Sequence, residues 1–246
     1  TLHGVHLLPP WPLPLRRWPP TNSAERMFIG HFAPAFLARG ISEDAPRLGV
    51  LFIGAQLTDW ALFTLTLGGI EKLRIVPGIT AMNPLDLYYM PYTHSLLGTA
   101  LWAIGFAALI WLGTRSLVAA SWAAFVVASH WVLDLLVHRP DLTLAGGAEK
   151  YGLGLWNFPI VAIPLELGLL LLAYGFYIAR TKGPLLPPLI LLAALLLFQA
   201  LNWFGSEPEH AGASFSATAF LAFGILTALA FWVQSTRWHK NHVGLA

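Results

Sequence analysis

An all-α, polytopic membrane helix bundle is the fold this sequence predicts, and three observations predict it. Of 246 residues, 57% are hydrophobic and only 11% are charged, against about 25% charged in a soluble domain. The mean hydropathy is +0.64. Six apolar runs each reach the length of about 20 residues that crosses a bilayer as a helix. The 11 Trp fit the same reading, since Trp settles at the membrane–water interface. A net charge of +2 makes nucleic acid an unsuitable partner, and the bilayer is the expected surrounding. The absence of Cys excludes disulfides, thiolate metal sites and cysteine nucleophiles.

Taken in order, residues 1–26 are rich in Pro and Arg and lack an apolar signal-peptide core. They read as a disordered extension, either a flexible arm or a segment upstream of a natural start at Met27. Residues 27–246 read as one integral membrane domain. "MFIGHFAPAFLA" (27–38) is too short to span. It predicts an interfacial or re-entrant half-helix, with Pro34 limiting its regularity. The six spans are 48–70, 94–113, 116–138, 158–178, 184–205 and 213–235. The second can start earlier, near Leu87, because "LDLYYMPYTHS" is already apolar and aromatic.

Lys and Arg set the orientation. With six spans, one side carries ten basic residues and the other four, Lys72, Arg74, Arg139 and Lys150. Both termini are therefore predicted cytoplasmic in a bacterial inner membrane. The loops 71–93 and 139–157 face outward.

The polar residues inside these spans carry the chemistry. His130, Asp134 and His138 follow one another at i, i+4 and i+8, within about an 80° arc of one helix face. His130 and His138 are about 12 Å apart along the axis, so they do not easily share one ion. Asp134 can share one with either. Asp59 lies in "GAQLTDWALF", Glu166 in "AIPLELGLL", and His94 opens the second helix. Counted from the outward helix ends, Asp59 lies about 16 Å deep, His130 and Glu166 about 12 Å, and Asp134 about 6 Å. Each costs at least about 2–3 kcal/mol in hydrocarbon unless paired or bound to a cation. A mixed His/carboxylate set suits Zn²⁺ first, and also Mn²⁺ or Fe²⁺.

His31 is a further candidate ligand, although the orientation puts it on the opposite side unless the half-helix enters deeply. Arg139 and Asp141 follow the third span. Arg139 reads as an anchor pairing with Asp141 or as a group at the outward mouth. "GLGLWNFP" (152–159) lacks a nucleotide-loop pattern and can cap a cavity instead. His239 and His242 in the basic tail read as solvated, as does "SEPEH" (206–210).

The order of motifs resembles the bacterial membrane-bound, predicted metal-dependent hydrolases, the group that includes an SOS-regulated inner-membrane protein. The matching pieces are Gly30-His31, Asp59 in "QLTDW", Thr93-His94-Ser95, and His130 to Asp134 in "SHWVLD", over about residues 27–140. The family pattern reads "PDxD" and "HRGxTHS". Here Thr58 replaces the Pro, Ala61 the second Asp, and Tyr89 the first His. The resemblance implies a divalent-metal-dependent hydrolase acting on an ester or phosphoester of a lipid or other amphiphile.

On the residues, Asp59, His94, His130 and Asp134 are the expected ligands, with His31 and His138 as further donors. Glu166 is the expected general base, and Asp141 a second catalytic carboxylate. A small transporter or a proton or cation pathway, and a packing cluster without catalysis, are the rival readings. A metal site predicts the donors within about 2–3 Å of one point. A relay predicts a chain of groups reaching both faces, and a packing cluster predicts separate pairs.

Overall fold

The computed structural model describes residues 29–205 and 210–240. Residues 1–28, with the extension and Met27, lie outside the described residues, as do Glu207, Glu209 and His242.

The fold is an all-α bundle of membrane-span length. A short 3₁₀ turn, Ile29–Phe32, leads into α1 (Ala33–Ile41), α2 (Leu48–Ala55) and α3 (Leu57–Leu67). A two-stranded antiparallel hairpin follows, β1 (Lys72–Ile75) with β2 (Leu85–Tyr89). Then come α4 (Leu96–Thr114), α5 (Leu117–Val137), α6 (Pro159–Arg180), β3 (Thr181–Lys182), α7 (Leu186–Phe204), α8 (Ala213–Thr236) and β4 (Trp238–His239). Among the described residues, α4 to α8 are five helices long and apolar enough to cross a membrane. The pair α2–α3 makes a sixth span, bent by 50° at Gln56.

Each long helix follows from its apolar run and its end signals. Ser95 and Ser116 cap α4 and α5 by accepting the amides of Gly98 and Ala119. Pro occupies the first turn of α6 and α7, where its missing N–H costs nothing. On α4, Leu101, Ile104 and Leu109 face outward, as expected of a lipid-exposed helix. It packs mainly on α5, while α1 packs on α6, and α2 and α7 on α8.

The half-helix is packed inside the bundle. It is buried throughout most of its length, with Phe32 and Phe36 packed on Phe52 and Tyr177. Pro34 does not disturb it, because it falls in the first turn of α1. The segment runs alongside α6: the Ile29 amide bonds Glu166, and the Gly40 carbonyl accepts from Arg180. Gly40 permits this closeness, since a Cβ there would lie 2.8 Å from the Phe176 ring. Its first described residue, Ile29, lies level with Glu166, seven residues into α6, and His31 faces Asp134.

Two expectations need correction. Residues 85–89 form β2, not an early start to the second span, so His94 lies before the cap Ser95 and outside the helix. The tail residue His239 is buried, with Nε2 on the Gly40 carbonyl at 3.1 Å, because β3 and β4 pair and draw the tail against α1.

Candidate metal centre

The bend at Gln56 decides where Asp59 goes. Counting along a straight helix places it about 10 Å deeper than Asp134. The bend tilts α3, which ends at Leu67, and brings Asp59 level with the last turns of α5. Its Oδ1 lies 3.3 Å from His94 Nε2 and 3.5 Å from His130 Nε2. Asp134 Oδ2 lies 3.6 Å from His94 Nε2 and 3.2 Å from His130 Nε2. The other oxygen, Oδ1, lies 3.1 Å from His31 Nε2 and 3.5 Å from His138 Nε2. The rings of His31 and His130 stack at 4.0 Å and 10°. The structure therefore brings together His31, Asp59, His94, His130, Asp134 and His138. All are buried except Asp59, whose side chain is 16% exposed.

The outer hydrogen bonds fix which nitrogen faces inward. His130 Nδ1 meets the Ala55 carbonyl at 2.8 Å; a carbonyl only accepts, so Nδ1 carries the proton. His138 Nδ1 donates to Asp141 Oδ1 at 3.0 Å. For His94 the chain is longer. Glu71 Oε2 accepts the Thr93 hydroxyl at 2.6 Å, leaving Thr93 Oγ1 to accept from His94 Nδ1 at 2.9 Å. With Nδ1 donating outward, Nε2 of each imidazole faces the cluster, where the neutral ring offers a lone pair to an ion. Carboxylate oxygens, also acceptors, face those nitrogens. Among the described residues, His130 Nε2 and Asp134 Oδ2 are buried with no hydrogen-bond partner. A burial so rich in acceptors is costly, and protons on the imidazoles or a cation at the centre relieve it. The arrangement of an outward Nδ1–H held by a carboxylate, hydroxyl or carbonyl is the one metal-ligating histidines take.

Sequence reasoning missed Glu71 and Asp86. Glu71 is buried and also accepts the amides of Tyr92 and Thr93 at 2.8 and 3.0 Å, locking the turn that carries His94. Its signal was a lone acid directly after an apolar span. Asp86 on β2 takes Arg74 at 2.7 Å, and Arg139 as well. Arg139 also reaches Asp141 Oδ2 at 3.5 Å. Asp141 is thus buried between His138 and Arg139. Glu166, the expected general base, has its carboxylate on the Ile29 amide at 2.7 Å and does not line the cavity beside the cluster. In that position it anchors the turn carrying His31.

That cavity, about 390 Å³, starts at His31, Asp59, His94, Asp134 and His138. It extends between α3, α7 and α8, past Leu62, Phe63, Phe198 and Phe223, with Leu85 and Leu87 of the hairpin on one wall. Trp156, from the glycine-rich loop, lines it too and packs on His138 at 4.3 Å. Gly154 allows that loop its turn at φ 72°, where its amide bonds the His138 carbonyl at 2.7 Å.

Fold and site define a multi-pass helical membrane protein with a buried histidine–aspartate centre able to hold a metal ion. No family model, curated protein or solved structure matches this chain.

Proposed function

We propose that this protein is a divalent-metal-dependent hydrolase of the bacterial inner membrane, acting on an ester or phosphoester of a lipid or other amphiphile. The observation that carries the reading is the convergence of Asp59, His94, His130 and Asp134. Their facing atoms are 3.2–3.6 Å apart around the ring of contacts. Within this convergence His94, His130 and Asp134, and likewise His31, Asp59 and His130, offer ligand atoms that all lie within 4.8 Å of one another, and three protein ligands leave a position open for water. Zn²⁺ fits this donor set best, and Mn²⁺ and Fe²⁺ are the alternatives. When bound, such an ion lowers the pKa of a bound water toward neutrality and polarises an ester or phosphoryl oxygen.

The chain's own residues supply the rest. The apolar walls of the cavity suit a hydrocarbon chain, and its histidine–carboxylate end suits a polar head. Asp141 and Glu71 hold His138 and His94 in orientation. Glu166 holds the His31 turn. The departures from the family pattern at Ala61 and Tyr89 fall on residues that do not line the cavity. Thr58 stands in the first turn of α3, a position where Pro is also at home. These placements support the kinship. Against a proton relay through both faces stands the dry packing of Phe32, Phe36, Leu51 and Phe52 on the other side of the cluster.

The test uses the full chain purified in detergent, loaded with Zn²⁺, Mn²⁺ or Fe²⁺, and offered phospholipids, lysophospholipids and short-chain esters. Hydrolysis products should appear by mass spectrometry. They should vanish with a chelator and in His94→Ala and His130→Ala. Full metal occupancy with no product across the panel sinks the hydrolase reading.

A further inference from the structure

We propose that the cavity seats a single-chain lipid with an uncharged, hydroxyl-bearing head, of the chemical class of a monoacylglycerol. The inference rests on the lipid-ester reading above and narrows its substrate. The lining is ordered along the bundle axis. α7 ends and α8 begins at the hairpin end, where Phe215 clusters with Leu73 and Leu87. On α7, Asn202 lies toward that end and Phe198 one turn deeper, about 6 Å along the axis. On α8, which runs back, Thr218 lies toward that end and Phe223 about 8 Å deeper. Both helices thus write the same order, polar at the hairpin end and aromatic in depth. The cavity of about 390 Å³ extends over about 12 Å of α8, from Phe215 to Phe223. That is the girth of one hydrocarbon chain; a second would have to displace Leu62 and Phe63 of α3 from the wall.

The polar end specifies the head. Asn83 and Asn202 are both buried, and both line the cavity. Asn83 Oδ1 accepts the Leu85 amide at 2.9 Å, and its backbone amide and carbonyl both bond the Thr80 hydroxyl. The hairpin loop therefore holds this carboxamide in place. The Thr218 hydroxyl donates to the Ser214 carbonyl at 3.0 Å, which leaves its oxygen as an acceptor. Carboxamides and a hydroxyl match the hydroxyls and ester carbonyl of an uncharged head. Among the described residues that line the cavity, none is Lys or Arg, the side chains that recognise a phosphate. Arg74 and Arg139 pair with Asp86 instead. Asp59 and Asp134 line the cavity, and carboxylates there disfavour an anionic head.

The experiment is native mass spectrometry of the full chain purified in detergent, with and without a chelator. It is titrated with monoacylglycerol, lysophosphatidate and diacylglycerol of matched chain length. The expected result is one monoacylglycerol per chain, bound at least about 10-fold more tightly than the other two, the scale of one or two hydrogen bonds. Asn202→Leu should weaken it about 10-fold. Ala222→Phe, which fills the deep end, should weaken a long-chain monoacylglycerol and spare a short-chain one, a split that misfolding does not produce. Lysophosphatidate bound as tightly as monoacylglycerol, in either condition, overturns the uncharged head. Diacylglycerol bound as tightly overturns the single chain. No discrimination by chain length in Ala222→Phe overturns the seat between α7 and α8. Selective binding without hydrolysis by the metal-loaded protein sinks the hydrolase reading and leaves this seat standing; hydrolysis of phospholipids without the selectivity does the reverse.

Discussion

The two ends of the bundle bury polar groups in opposite ways. At the end where α6 meets α7, Arg237 donates to the carbonyls of Thr181, Gly183 and Pro184 and to the Thr181 hydroxyl, at 2.9–3.0 Å. Arg39 donates to Gln234 and to the carbonyls of Ser42, Glu43 and Ala45. Donors there meet acceptors, and the network closes loops onto helices. At the hairpin end, imidazole Nε2 atoms meet carboxylate oxygens, and the Nδ1 donors point away from the centre. The first arrangement is complete as it stands; the second could hold a metal ion. Buried polarity by itself therefore says little about function. The match between donors and acceptors is what separates a brace from a site.

The strongest way to break this comparison is Asp134→Ala, which removes the group shared by both histidine pairs. Metal affinity should fall by at least about 1,000-fold by titration calorimetry, since removing Asp134 leaves its set with two histidine donors. The metal-free variant should keep its fold, with any loss of thermal midpoint smaller than the loss that chelation causes in the wild type. A larger loss in the metal-free variant would mean the cluster is a brace after all.

Chelation is the next largest lever. A metal present at about 1,000 times its dissociation constant stabilises the folded state by about 4 kcal/mol. Stripping it should lower the thermal midpoint of the wild type and leave Asp134→Ala unmoved. Equal shifts in both proteins would show that the chelator acts elsewhere.

Arg237→Met probes the other end. It strips donors from three carbonyls, at about 1–3 kcal/mol for each buried group left unpaired. A loss of about 3 kcal/mol in denaturant stability is expected, with metal content unchanged. A loss of metal together with stability would mean that the two ends are coupled.

The helices were legible because bilayer thickness imposes a length on apolar runs: span 116–138 became Leu117–Val137, and 213–235 became Ala213–Thr236. The convergence of the acids and histidines was legible for a related reason, since ionisable groups in hydrocarbon need one another. What escaped were features set by contacts distant in sequence. The bend at Gln56 involves no Pro and follows no local rule, yet it places Asp59. The hairpin did leave a signal, with Leu85, Leu87 and Tyr89 alternating against Asp86 and Tyr88 at the period of a strand. An aromatic run beside a span masked it. His31 could not be placed from topology alone, because the half-helix packs alongside α6 and is positioned by contacts distant in sequence rather than by distance from a span end.

Glu71 gives the smallest effect and the finest test, because it touches no ligand atom of the centre. It accepts two amides and the Thr93 hydroxyl, and through that hydroxyl it fixes the His94 tautomer. Glu71→Gln keeps the volume and one good acceptor but replaces the other with an amide that donates. The Thr93 hydroxyl loses its acceptor and can turn its proton toward His94 Nδ1, which moves the imidazole proton to Nε2 and blocks that donor. Outer-partner changes of this kind cost about 10–100-fold in metal affinity. Metal binding should weaken by that factor while fold and stoichiometry hold. Thr93→Val should weaken binding similarly, because it removes the acceptor that holds His94 Nδ1–H. The double variant should be little worse than either single one, since both act through one proton. Additive losses would place Glu71 and Thr93 in separate roles, and unchanged affinity in Glu71→Gln would reduce the buried acid to a brace like Arg237.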